Sequence, residues 1–134
     1  MGIRDYAETF EEAKRCLVEV VVEQMAMMKE GKELLIYYNA TPLLKAMGDV
    51  VLGWMHLWQL TITYPKLRNL IGEKEGDEKE KILEASGEAA FYHGKVLGSQ
   101  YYIGSILRET FGKFDQIAAK ENAVVEMCER SFAS

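Results

Sequence analysis

Little in this chain interrupts a helix, and little in it could carry out chemistry unaided. Proline occurs only twice in 134 residues, at Pro42 and Pro65, so long stretches lack the residue that removes a backbone donor and breaks helices. Cysteine is equally scarce. Cys16 and Cys128 belong to no CxxC or Cys/His ligand pattern, and they read as two buried, reduced thiols of a cytoplasmic protein rather than a disulfide framework. The 16 Lys and Arg residues are scattered and outnumbered by 21 Asp and Glu, for a formal net charge of -5. A basic footprint able to displace counterions is missing, which argues against nucleic-acid binding. The start MGIRDYAETFEE is acidic and has no apolar centre, so no signal peptide is read there, and Met1-Gly2 fits a junction ahead of a domain and a natural start equally. The longest apolar run, residues 47–64, carries Asp49, His56 and Gln59 within about the minimum spanning length. It reads as a buried core helix rather than a membrane span.

Catalytic signatures are also missing. A bundle can hide a carboxylate-histidine metal centre built on Glu-x-x-His, but Gly53 precedes His56 by three residues and Ala90 precedes His93 by three. There is no HExxH, no glycine-rich phosphate loop and no GxGxxG, and no serine occupies a nucleophile-elbow context. No catalytic, cofactor-binding or metal-ligating residue is assigned in this chain. His56, between Met55 and Leu57, reads as a core or interface histidine bonded to a neighbour; His93, in FYHGK, reads as half exposed on a polar face.

What is present is helical periodicity, in a length that suits one domain. Asp5 and Glu8 have the spacing of a capping box, predicting that the first helix begins at Asp5. Tyr6, Phe10, Ala13, Leu17, Val20, Gln24 and Met27 then recur at steps of four and three, a bundle seam that should end near Gly31. Thr41-Pro42 has the form of an N-cap followed by proline at the first helical position, predicting that a second helix starts there after the irregular stretch LLIYYNA. That helix is apolar almost all round, as a central helix is, and Pro65 should kink or end it.

The segment GEKEGDEKE, residues 72–80, reads as a solvated link. A capping box at Asp77 and Glu80 predicts a third helix running to Arg108 or Glu109, nearly 50 Å at about 1.5 Å per residue. A fourth fits Asp115 to Arg130, with Ile117, Val124, Val125 and Cys128 for the core and an i,i+4 pair of Glu126 and Arg130. The expected fold is all-α, an up-and-down four-helix bundle in a single domain spanning 1–134.

Glycine is the element that does not fit a simple bundle. Gly48 and Gly53 fall inside the second helix, and Gly87, Gly94, Gly98 and Gly104 inside the third, each costing roughly 0.5–1 kcal/mol against alanine. Ala90, Gly94 and Gly98 share one face, which predicts a close crossing of the second and third helices there, with a ligand groove as the alternative. Trp54 and Trp58, four apart, share a face as well. Together with Phe91, Tyr92, Tyr101 and Tyr102 they read as core one by one and as a docking surface when taken as a set.

Two stretches carry a family resemblance. ATPLLKAMGDVVLGWMHLWQ, residues 40–59, has a threonine-proline start, a leucine-rich turn and a Gly53-Trp54 step. AAFYHGKVLGSQYYIGSIL, residues 89–107, has a Phe-Tyr-x-x-Lys element at Phe91, Tyr92 and Lys95. Over roughly residues 5 to 110 the chain resembles the C-terminal helical domain of acyl-CoA dehydrogenases of the 3-methylthiopropionyl-CoA dehydrogenase-like branch. The resemblance implies an appendage to an oxidoreductase in which FAD and a glutamate base remove hydrogens from Cα and Cβ of an acyl-CoA thioester. FAD and base would both reside in a separate α/β/α body. The partners implied are that catalytic body and further copies of the chain, with no nucleic acid and no membrane. The candidate interface or packing residues are Gly53, Trp54, Trp58, Phe91, Tyr92, Gly94, Lys95 and Gly98. The alternative reading is a free-standing helical binding or oligomerisation protein.

Overall fold

The computed structural model describes residues 2–133; Met1, half of the junction read from the sequence, lies outside them. Helix α1 spans Ile3–Lys29, two residues earlier than its expected start. Asp5 is its third residue rather than its cap, and Asp5 Oδ2 accepts the Gly2 amide at 2.7 Å. The seam is as expected: Tyr6, Phe10, Ala13, Val20, Gln24 and Met27 are buried, with Leu17 packed at the margin. At the far end Lys32 N–H donates to Met27 O and Gly31 N–H to Met28 O, the paired bonds of a Schellman cap. They need a left-handed residue, and Gly31 supplies it at φ +76°.

Helix α2, Glu33–Ile71, departs most from expectation. It begins eight residues before Thr41 and passes through both prolines without ending. The reason is burial. LLIYYNA contributes Leu35 to the buried side, with the polar Asn39 on the same face, so continuing the helix upstream extends one inner seam: Asn39, Ala46, Gly53, Leu60 and Leu67, seven apart, alternate with Leu43, Val50, Leu57, Tyr64 and Ile71. An interior proline costs about 3 kcal/mol. Beyond Pro65, burying Leu67 and Ile71 returns about 1.5–3 kcal/mol each. At 39 residues α2 is the long rod of the molecule, close to 58 Å at about 1.5 Å per residue.

The expected third helix is divided. Gly72 and Gly76 turn the chain at positive φ, and α3 spans Gly76–Ala85 with Glu75, not Asp77, at its cap. Ser86 is extended, and its Oγ accepts the Ala89 amide at 3.2 Å, starting α4 at Gly87–Tyr101. A π-helical turn, Tyr102–Ile106, then joins α4 to α5, Leu107–Ala118. The inward positions explain the turn. Val96, Ser99, Ile103, Leu107, Thr110, Phe114 and Ile117 are all buried, and the double step of four across Ile103 is one residue longer than a regular seam permits. A π-bulge accommodates the extra residue, so both Ile103 and Leu107 face the core. The expected fourth helix is absent: Asp115 lies in α5, Lys120 turns the chain at φ +53°, and only Ala123–Glu126 (α6) and a 3-10 turn follow. Val124 and Cys128 are exposed rather than in the core, and Glu126 accepts a hydrogen bond from Asn122.

The result is an all-α bundle of three long rods: α1, α2, and the α4–π–α5 rod. α2 runs antiparallel to the third rod, because Ser99 and Leu107 meet His56 and Gly53, and Phe10 brings α1 to the same level of α2. The first and third rods are parallel, with Tyr6 at Gly104, Thr9 at Arg108 and Glu23 at Lys120. No helix among the described residues is long and apolar enough to cross a membrane.

Candidate functional site

The tight glycine contacts lie at a different pair of positions from those expected, and side chains of the neighbouring rods make them. A Cβ on Gly53 would stand 3.0 Å from Leu107 Cδ2 and 3.5 Å from Phe10 Cδ2; one on Gly104 would stand 3.3 Å from Tyr6 Cε1. All three rods meet there. At Gly94 and Gly98 a Cβ would meet nothing within 4 Å among the described residues, so no neighbouring backbone crosses that face. Ala90, Gly94 and Gly98 are instead exposed.

The aromatic candidates divide in the same way. Trp54 and Trp58 are both more than half exposed, and their rings stack 6.3 Å apart at 16°. A helix apolar on every side is therefore covered on only one of them. Phe91 is exposed, edge-on to Tyr92 at 5.4 Å, with Lys95 Nζ 5.5 Å from its ring. Tyr92 is half-buried, and its hydroxyl accepts from Lys66 Nζ at 3.3 Å, tying α4 to α2.

Two polar clusters lie on the α2 face toward the third rod, and of these the sequence indicates only that His56 bonds a neighbour. In the first, Ser99 is wholly buried; Gln59 Nε2 donates to its Oγ at 2.9 Å, and His56 Nδ1 lies 3.3 Å from that oxygen. With His56 neutral and protonated on Nε2, the Ser99 hydroxyl donates to Nδ1 and the chain Gln59–Ser99–His56 is complete. The imidazole stacks on Tyr102 at 4.5 Å. Burial, reinforced by the Lys95 charge, holds the imidazole below its ordinary pKa of 6.5, which favours this neutral form. In the second, Asp49 Oδ2 accepts from Thr110 Oγ1 at 3.0 Å and from Lys113 Nζ, while the Tyr102 hydroxyl donates to the Asp49 carbonyl at 3.1 Å. Burial and the Asp49 charge push the Tyr102 phenol upward. Both clusters join polar side chains across the interface of α2 with the third rod, an arrangement that fixes register. His93 is half-buried, its pKa lowered by burial and by Lys79.

Among the described residues no three His, Cys, Asp or Glu side chains gather as metal ligands would. The flavin belongs to the parent enzyme that the resemblance implies, and the lining of the hollow at the α1–α2 turn does not suit it. The hollow of about 380 Å³ at the α1–α2 turn is open to solvent and lined by Met27, Leu34, Leu35 and Val125 beside Lys32 and Lys120. No strand-to-helix glycine turn adjoins it to cradle a pyrophosphate.

A family model described as "Acetyl-CoA dehydrogenase C-terminal like" matches residues 2–128. No curated protein and no solved structure matches the chain.

Proposed function

The chain belongs to the acetyl-CoA dehydrogenase C-terminal-like family, and from that premise we propose that it serves as the auxiliary C-terminal domain of a flavin-dependent acyl-CoA dehydrogenase. Its role in this reading is mechanical: it docks on the catalytic body, assists subunit contacts or covers the acyl-CoA cleft, and leaves hydrogen removal to that body. The observation that carries the proposal is the family match over nearly the whole chain. The Gly53-Trp54 step and the Phe91-Tyr92-x-x-Lys95 element support the 3-methylthiopropionyl-CoA dehydrogenase-like branch. Exposed apolar side chains on α2 and α4 supply surface for docking.

The test is to mix the chain with a catalytic body of that branch and follow association by calorimetry and acyl-CoA turnover with an electron acceptor. Association with altered turnover or substrate affinity is expected. If the two never associate and turnover is unchanged, the docking role is wrong. The stacked and exposed Trp54 and Trp58 favour a second reading, a free-standing helical binding or oligomerisation protein. A chain that self-associates or takes up apolar ligands while ignoring the body would favour that reading.

A further inference from the structure

Helix α2 carries two apolar seams, and the fold uses one of them. The inner seam packs on α1 and the third rod. On the outer side Leu44, Gly48, Val51, Met55, Trp58 and Ile62 follow one another at steps of 4, 3, 4, 3 and 4, the spacing of a coiled-coil stripe, and every one is exposed. Leu44 is 70% exposed and Trp58 58%.

We propose that this outer seam pairs antiparallel with the same seam of a second copy of the chain. The inference gives the subunit contact of the preceding reading its surface, and rests on that part of it. Three features identify a second copy as the occupant. The stripe is palindromic about the level of residue 53. Antiparallel pairing sets Leu44 opposite Ile62, Gly48 opposite Trp58 and Val51 opposite Met55, and each layer joins unlike heptad positions as antiparallel coils require. The sizes are complementary too, with the largest side chain facing the smallest residue. Gly48 weakens the middle of its own helix, and nothing within 4 Å among the described residues requires it to be glycine; an opposing Trp58 indole would fill that space.

The area is adequate and the charge is absent. With the flanking Met47, Leu52 and Trp54, the exposed apolar surface is on the order of 800 Å², one partner's share of a standard interface. Between Lys45 and Lys66 the one charged residue on α2 is Asp49, and Lys113 neutralises it on the inner side.

The experiment is sedimentation equilibrium of the full chain at micromolar concentrations, alongside Gly48→Leu and Trp58→Glu. A dimer is expected, weakened about tenfold or more by either variant. Circular dichroism keeps the test interpretable, because a leucine at Gly48 points into open space and should leave helicity intact. For orientation, a Val51→Cys chain is mixed with a Met55→Cys chain in a Cys128→Ser background, and the mixed disulfide is expected to outrun the 51–51 disulfide. A chain that stays monomeric, a dimer indifferent to both variants, or faster 51–51 cross-linking would each overturn the proposal. Docking on the catalytic body is measured separately. Gly48→Leu should leave it intact; its loss from a monomeric chain would instead assign the seam to the body.

Discussion

Gly53 and Leu107 touch where the three rods meet, and the contact leaves no room for a methyl group: a Cβ at 53 would stand 3.0 Å from Leu107 Cδ2. Leu107 is wholly buried, so it has little freedom to move aside. Alanine at 53 would gain helix propensity and lose packing. We expect Gly53→Ala to lower stability by about 1 kcal/mol, the usual scale of a modest overpacking. Gly94→Ala and Gly98→Ala, whose new methyls meet open space, should each raise it by about 0.5–1 kcal/mol. Chemical denaturation of the three variants gives the comparison, and a stabilised Gly53→Ala would contradict the close approach.

Acid should loosen the fold through its histidines. Burial lowers the pKa of both His56 and His93, so in this range the unfolded chain binds more protons than the folded one. Stability is then fully present above the ordinary value of 6.5, falls as pH drops through it, and levels off below the folded values. Melting temperature should therefore decline on acidification through this window, and less so in His56→Gln. A profile equally steep without His56 would remove it from the account.

Ser99→Ala should act through the same cluster. Gln59 keeps its bond to the Lys95 carbonyl at 3.3 Å, but Nδ1 of His56 loses its partner in a half-buried position. A cost of about 1–2 kcal/mol is expected, read by thermal unfolding.

The Asp49 cluster separates a buried hydrogen bond from an ion pair. Asp49→Ala strands the Thr110 hydroxyl, whose residue is wholly buried, at a cost of about 1–3 kcal/mol. Lys113 and Asp49 side chains are 35% and 24% exposed, so water screens their attraction. A double-mutant cycle with Lys113→Met should assign the ion pair about 1 kcal/mol or less. A larger coupling would mean the pair is drier than its exposure indicates.

The two thiols should differ in reactivity. Cys128 is exposed, and its hydrogen bonds with Ser131, side chain first and then backbone, draw its pKa down; burial pushes that of the half-buried Cys16 up. Iodoacetamide should alkylate Cys128 well before Cys16 in the folded chain, as mass spectrometry of timed digests would show. Equal rates would indicate that the Ser131 contact does not persist.

How much of this was legible in advance depended on whether a signal was local. The α1 seam from Tyr6 to Met27 could be read residue by residue, because a repeat of four and three admits one amphipathic solution. Gly31 likewise marked the end of α1, since a left-handed residue was needed there. The start of α2 differs from expectation because Thr41-Pro42 carries a strong local cap signal, while the reward for helix upstream of it is burial of Leu35, a gain that sequence neighbours do not reveal. The break at Ser86 and the π-turn at Tyr102–Ile106 leave no proline signal in the chain, although the double step of four from Ser99 through Ile103 to Leu107 marks the turn.

The sequence by itself determined an all-α chain and the residues of the α1 seam. Helical periodicity is a property of neighbours along the chain. The tertiary structure alone decided which apolar faces are covered. α2 is apolar on both sides, and its pattern is equally compatible with burial of either; only the placement of α1 and the third rod on one side leaves Trp54, Trp58 and the outer seam in solvent. It also decided which glycines are needed. A glycine's cost is local, but its justification is a neighbour distant in sequence, and that neighbour stands over Gly53 and Gly104 and not over Gly94 and Gly98.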